Sequence, residues 1–311
     1  MSKRKKVLVV DDEETIAQVI HDFLEEQGYV VHIAYNGTDG IQMAATEQPD
    51  VVILDVELPD MSGFEVCKKM REISNLRNTP IVMLTVRSAE ADELAGLQAG
   101  ADDYMTKPFK PARLLARIQT AIEMNLRELD ANPLTHLPGN VSILEELERR
   151  ISRKAPFAVL YMDLNNFKAF NDRYSFLRGD EVIKLTSDIL LKCVGSNGKA
   201  GSFLGHVGGD DFVAIIDPAD VDEVSKAIIS NFDGNITQLY DEEDRKRGYI
   251  QTVDRLGNQV KLPLMGIAIA VVSNAARTFS HPGELSLVAG DLKKWAKSKG
   301  TSAYVVDRRA G

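Results

Sequence analysis

Val7-Leu8-Val9-Val10-Asp11-Asp12 opens the stretch that decides the fold: four apolar residues run straight into two carboxylates. Short runs of the same kind return at Val30–Ala34, Val51–Leu54, Ile81–Thr85 and Asp103–Met105. Each run is followed by an amphipathic stretch, namely Thr15–Gln27, Thr38–Glu47, Gly63–Ile73, Ala89–Ala99 and Ala112–Leu129. Short continuous apolar runs mark strands buried on both faces. Five strand–helix pairs predict an α/β fold with a doubly wound, five-stranded parallel sheet. In such sheets ligands sit beyond the carboxyl ends of the strands, so the residues just after each run carry the chemistry.

The chain is 311 residues long, which at about 150 residues per domain suggests two domains. With 44% hydrophobic and 27% charged residues, both can bury a core. The formal charge is −9, and it is unevenly spread: residues 1–125 hold 13 basic and 21 acidic side chains, the remainder 24 and 25. This argues against nucleic-acid binding. The apolar runs Phe157–Met162 and Met265–Val272 are far shorter than the roughly 20 residues of a spanning helix, so no membrane insertion is expected. Cys67 and Cys193 stand alone, which suits a reducing, cytoplasmic compartment. The expected boundaries are a first domain over 1–125, a helical linker over 126–140 with breakers at Asn132-Pro133 and Leu137-Pro138-Gly139, and a second domain over 141–311.

In the first domain Asp11 and Asp12 follow the first strand and Asp55 the third, so three hard oxygen donors converge on one sheet edge, as magnesium prefers. Thr85 ends the fourth strand and Lys107-Pro108 follows the fifth. A carboxylate that accepts a phosphoryl group needs a metal, a cation and a hydroxyl beside it. Either Asp11 or Asp12 alone would serve equally as a helix cap. With Leu54-Asp55-Val56-Glu57-Leu58-Pro59, Met61-Ser62-Gly63 and Lys107-Pro108-Phe109, the first 125 residues resemble the CheY-like receiver domain of bacterial response regulators. The resemblance implies that a histidine kinase phosphorylates Asp55, and that Asp11, Asp12, Asp55 and the Glu57 carbonyl hold Mg2+. It also implies that Thr85 and Lys107 contact the phosphoryl group and that Tyr104 is the aromatic that reorients on activation.

The second domain departs from strict alternation. Phe203–Val207 and Phe212–Ile216 form a hairpin around Gly208-Gly209-Asp210-Asp211, which predicts a mixed, largely antiparallel sheet. Helices are expected at Asn166–Tyr174, Asp180–Cys193, Val221–Asn231 and Glu284–Ser298, and the polar stretch 241–258 as a solvated insertion or hairpin. Asp163 ends the strand Phe157–Met162, so it and the hairpin acids can bracket divalent metals for nucleotidyl transfer. An Asp can accept two hydrogen bonds from guanine, which suits Asn171 and Asp180 to reading that base.

From Asn132-Pro133-Leu134-Thr135 to about Ala303 the chain resembles the GGDEF domain of diguanylate cyclases, which join two GTP into cyclic di-GMP across a homodimer. The resemblance implies that Asp163, Asp210 and the Leu164 carbonyl bind Mg2+ and that Asp211 fills the adjacent acidic site. Gly208 and Gly209 would leave room for phosphates, Lys168 and Lys297 would contact them, and Asn171 and Asp180 would read guanine.

Several positions depart from the family pattern. The signature ends Asp210-Asp211-Phe212, His206 stands where an Arg commonly precedes the diglycine, Asn165 replaces an Asp, Ser175-Phe176 replaces Gly-His, and Thr301 replaces an Arg. The feedback-inhibition motif is replaced by Lys199-Ala200-Gly201-Ser202. The expected function is a response regulator whose Asp55 phosphorylation controls a diguanylate cyclase. The alternative is a degenerate GGDEF module that binds GTP or dimerises and signals through protein contacts.

Overall fold

The computed structural model describes residues 4–85, 99–197, 201–253, 259–275 and 277–309. The chain divides into two compact units, Met1–Leu129 and Asp130–Gly311. The expected helix Ala89–Ala99 lies, up to residue 98, outside the described residues, as do Lys199 and Ala200.

The first unit contains β1 (Lys6–Val10), α1 (Glu14–Glu26), β2 (Val30–Ala34), α2 (Gly37–Glu47), β3 (Val51–Asp55), α3 (Gly63–Glu72), β4 (Ile81–Thr85), β5 (Asp103–Thr106) and α4 (Pro111–Asp130). The strands lie in the order β2-β1-β3-β4-β5, and every neighbouring pair is parallel. Side chains alternate across the sheet. Val7, Val9, Ile53 and Leu84 pack with Ile20 and Leu24 of α1 and Leu114 and Ile118 of α4. Leu8, Val10, Leu54 and Met83 pack with Ala44 of α2 and Val66 and Met70 of α3. Both faces of the central strands are therefore dry, which is why Val7–Val10, Val51–Leu54 and Ile81–Leu84 are apolar without interruption.

α3 starts against the end of β3. Its capping box joins the Ser62 hydroxyl to the Glu65 amide and the Glu65 carboxylate to the Ser62 amide, an arrangement that stabilises a helix start by about 1 kcal/mol. Gly63 is required there, because a Cβ would collide with the Asp55 carbonyl oxygen. The first turn of α3 is thereby held beside Asp55.

The second unit contains α5 (Asn140–Arg153), β6 (Ala158–Leu164), α6 (Phe167–Tyr174), α7 (Phe176–Asn197), β7 (Phe203–Gly208), β8 (Asp211–Ile216), α8 (Val221–Ile236), α9 (Glu242–Arg247), β9 (Tyr249–Val253), β10 (Gln259–Pro263), β11 (Ile267–Ser273), α10 (Pro282–Lys297) and β12 (Ala303–Val306). Its main sheet runs β12-β11-β6-β8-β7, with β11 and β12 parallel and the other neighbours antiparallel. Phe170, Val182, Leu190, Ile228 and Phe232 of α6, α7 and α8 cover one face. Ile143 and Leu147 of α5 and Leu285, Leu292 and Ala296 of α10 cover the other. The amides of Gly139, Val141 and Ser142 at the start of α5 all donate to the Asp130 carboxylate, at 3.1, 2.8 and 2.9 Å.

One helix start differs from the sequence expectation, and one polar stretch differs in its burial. α7 begins at Phe176 rather than Asp180: Ser175, with a positive φ of 84°, ends α6, and the next helix starts at the residue after it. Within the polar stretch 241–258 lie α9 and β9, and β9 pairs antiparallel with β10; residues 254–258 lie outside the described residues. It is not wholly solvated. Asp244 is 1% exposed and accepts hydrogen bonds from the Tyr174 hydroxyl and Arg247. Among the described residues, no helix is long and apolar enough to cross a membrane.

Candidate functional site

A parallel sheet delivers the ends of its strands to one edge, and the first unit uses this directly. Asp11 follows β1, Asp55 ends β3, Thr85 ends β4 and Lys107 follows β5. One carboxylate oxygen from each of Asp11, Asp12 and Asp55 lies within 4.8 Å of the others. Asp11 and Asp55 are buried, whereas Asp12 is exposed. The Lys107 ammonium donates to Asp11 Oδ2 and to Asp55 Oδ2, both at 2.8 Å. Its side chain is only 6% exposed, so these are desolvated ion pairs.

Burial pushes the Asp11 carboxyl above its usual range, against the opposing hydrogen bond from Lys107. For Lys107 burial works to lower the pKa, and the hydrogen bonds to Asp11 and Asp55 outweigh it, leaving the ammonium above its usual value. Two buried acids with one lysine leave net negative charge, facing an exposed third acid. Three hard oxygen donors with one exposed side fit a small divalent cation that keeps several waters. Thr85 is buried, and its carbonyl accepts the Lys107 amide at 2.6 Å. Tyr104 is half-buried, against an apolar cluster that includes Leu54 and Met83. Glu57 is exposed, two residues beyond Asp55.

The second constellation is built around β6 and the β7–β8 turn. Gly208 and Gly209 take φ values of 142° and 58°, a conformation that side chains resist, and make the turn that carries Asp210 and Asp211. His206 braces this turn. Its Nε2 faces the Gly209 carbonyl at 3.0 Å and its Nδ1 the Thr135 hydroxyl at 3.0 Å, while its ring stacks on Phe212 at 4.2 Å. Burial lowers its pKa, which favours the neutral ring with the proton on Nε2. The histidine therefore acts as a strut rather than as a cation.

Asp163 lies near the end of β6, beside Asp210. Burial, and then the charge of Asp163, push Asp210 up to about 6. Asp163 itself is lowered despite its burial, because the ammoniums of two lysines of α10 pair with it. Lys297 Nζ lies 2.5 Å from Asp163 Oδ1, and Lys293 Nζ 2.7 Å from Asp163 Oδ2. Lys293 also pairs with Asp211. Lys293 is the residue that sequence reasoning missed. The available signal was its spacing, four residues before Lys297 and therefore on the same helix face.

Asn171 and Asp180 come from consecutive helices. The Asn171 Oδ1 atom is buried and finds no hydrogen-bond partner. Gly179 packs onto it so closely that a Cβ there would collide with that oxygen. Asp180 follows immediately and is exposed in α7, with Lys168 exposed on α6. A buried acceptor without a donor, next to an exposed carboxylate, suits a planar ligand that offers donors to both. The acids Asp163 and Asp210 are adjoining hard oxygen donors, which also fits a divalent ion.

The sequence matches the family model of the response regulator receiver domain over residues 7–119. It matches that of the diguanylate cyclase GGDEF domain over residues 129–247. Among solved structures, chemotaxis protein CheY4 of Vibrio cholerae is 37% identical, with 38% of this chain and 99% of that one covered and a TM-score of 0.38. A CheY-like receiver domain protein of Methanospirillum hungatei is 30% identical over 40% and 99% of the two chains, with a TM-score of 0.39. The receiver domain of a Pseudomonas aeruginosa sensor histidine kinase is 31% identical over 39% and 99%, with a TM-score of 0.37; its structure has a magnesium ion coordinated in the active site cleft. The chain belongs to the response regulators and joins a receiver domain to a GGDEF domain, in that order.

Proposed function

We propose that a histidine kinase phosphorylates Asp55, and that this controls a GGDEF domain that condenses two GTP into cyclic di-GMP. The observation that carries the first half is the cluster of Asp11, Asp12 and Asp55 with Lys107 on two of its carboxylates. Asp55 is the acceptor because its carboxylate is held by a cation that can move its hydrogen bond to an incoming phosphoryl oxygen. Asp11, Asp12, Asp55 and the Glu57 carbonyl would hold Mg2+, which when bound offsets the negative charge of the phosphoryl group. The Thr85 hydroxyl takes one phosphoryl oxygen, and Tyr104 moves in response. α4 carries the change toward the second domain of a homodimer.

In the GGDEF domain, Asn171 and Asp180 orient the guanine and exclude adenine, which lacks the matching donor pair. Lys168 and Lys297 hold phosphates against the Gly208-Gly209 turn. Asp163, Asp210 and the Leu164 carbonyl would bind Mg2+, with Asp211 in the adjacent acidic site. Each GTP gives its 3′-hydroxyl to the other's α-phosphorus, so two phosphodiester bonds form and two pyrophosphates leave. A second reading, a GGDEF module that binds GTP or dimerises without catalysis, is favoured by one observation: Lys293 already occupies Asp163 and Asp211.

The test is incubation of the full chain with GTP and Mg2+, with and without beryllofluoride to mimic phosphorylated Asp55, followed by chromatography for cyclic di-GMP. More product with the mimic is expected. No product in either state, with GTP still bound, would remove the cyclase and leave the module.

A further inference from the structure

Asp163 has both of its carboxylate oxygens engaged by cations of its own chain. Lys293 takes Oδ2 at 2.7 Å and Lys297 takes Oδ1 at 2.5 Å. Lys293 does more than neutralise Asp163, because the same ammonium pairs with Asp211 and so ties the end of β6 to the start of β8. Its side chain is 24% exposed and that of Asp163 is 6% exposed, so water screens the Asp163 contact poorly. α10 cannot easily turn away, since Leu285, Ala289, Leu292 and Ala296 are buried against the sheet. The helix thus presents two ammoniums, one turn apart, to a single carboxylate. Together they bring the charge of a divalent ion.

We propose that Lys293, held between Asp163 and Asp211, is a tethered cation that takes the place of a divalent metal on Asp163, so that a metal enters only when the lysine side chain leaves. The proposal rests on the reading of Asp163 as a metal ligand. A magnesium ion binds carboxylate oxygens at about 2.0–2.1 Å, far inside the distance at which an ammonium on the same oxygen repels it strongly. Lys297 has a use once a nucleotide is bound, because phosphates can take its charge. Lys293 faces Asp163 and Asp211 instead and competes with the metal. The chain therefore carries a threshold for metal, and with it for triphosphate, that a neutral side chain at position 293 would remove.

The experiment measures Mn2+ binding to the full-length protein by the electron paramagnetic resonance signal of the unbound ion. It compares wild type with Lys293→Met, Lys293→Gln and Lys293→Arg. In wild type the tight stoichiometry comes from the Asp11, Asp12 and Asp55 cluster. Lys293→Met and Lys293→Gln should each add a second site, at least about tenfold tighter than wild type binds there, equivalent to about 1.4 kcal/mol. Lys293→Arg, which keeps the cation, should bind as wild type does. Binding unchanged in both neutral variants, with circular dichroism confirming that one of them is folded, overturns the proposal. A gained site in a protein that makes no cyclic di-GMP upholds the tethered cation and sinks only the cyclase reading. Abundant product from wild type together with unchanged binding in the variants does the reverse.

Discussion

Lys107→Met tests the electrostatics of the receiver site without any kinase. The ammonium is the shared donor to Asp11 and Asp55, each at 2.8 Å, and those carboxylates belong to residues that are 0% and 6% exposed. Methionine keeps most of the stem's packing and removes the charge. Two buried carboxylates then lose their counter-ion, and breaking a buried pair in this way costs about 3–5 kcal/mol. The lower end applies, because Asp11 Oδ1 keeps the Glu13 amide at 3.0 Å. About 3 kcal/mol should lower the receiver melting temperature by about 10 °C in a unit of this size.

The pH dependence of that loss has a definite sign. The folded-state pKa of Asp11 is raised by burial, against the Lys107 hydrogen bond, so this group supports the fold fully below its ordinary pKa and loses that support as pH rises through the folded value. Removing Lys107 raises the folded value further. The loss should be greatest near pH 7, shrink toward about pH 4, and shrink again when Mg2+ replaces EDTA. Hydrogen exchange at the β1 and β3 amides isolates the receiver from the second unit. A loss that is the same at both pH values and indifferent to Mg2+ would refute the assignment of charge at this site.

Three further outcomes are expected. Asp163→Ala should abolish cyclic di-GMP formation, at least about a hundredfold by chromatography, while Mn2+ still binds the receiver cluster. Asp180→Ala should cut the preference for GTP over ATP in competition binding by about ten- to a hundredfold, the scale of one charged hydrogen bond, and an unchanged ratio would assign guanine reading elsewhere. Tyr174→Phe should destabilise the second unit by about 1–2 kcal/mol in urea, because the buried Asp244 carboxylate loses its hydroxyl donor.

Much of the receiver was legible because its strands are buried on both faces. Val7–Val10 and Val51–Leu54 are apolar without a break, and such runs have few places to go. The carboxylates just after them follow from topology, since parallel strands end on one edge. The second domain was legible at its diglycine, where only a backbone tolerant of positive φ makes the turn between two apolar strands. The start of α7 was not. Asp180 is a good helix cap by type, but the break falls at Ser175, whose φ is 84°, and the helix is already under way at Phe176. Asp244 was invisible for a related reason. A charged stretch looks solvated until Tyr174, 70 residues earlier, arrives with its hydroxyl.

The amino-acid order alone determined the two-domain composition, the five-stranded parallel sheet and the acids Asp11, Asp55, Asp163 and Asp210, because periodicity and strand ends are local properties. Only the tertiary structure decided which cations meet those acids. The reach of Lys107 to both Asp11 and Asp55, the strut made by His206, and above all the bridge from Lys293 to Asp163 and Asp211 depend on how a helix or loop packs on a sheet. Ion pairing acts over a few ångströms in space, while these partners stand 52 to 130 residues apart in several cases, and no pattern along the chain encodes that proximity.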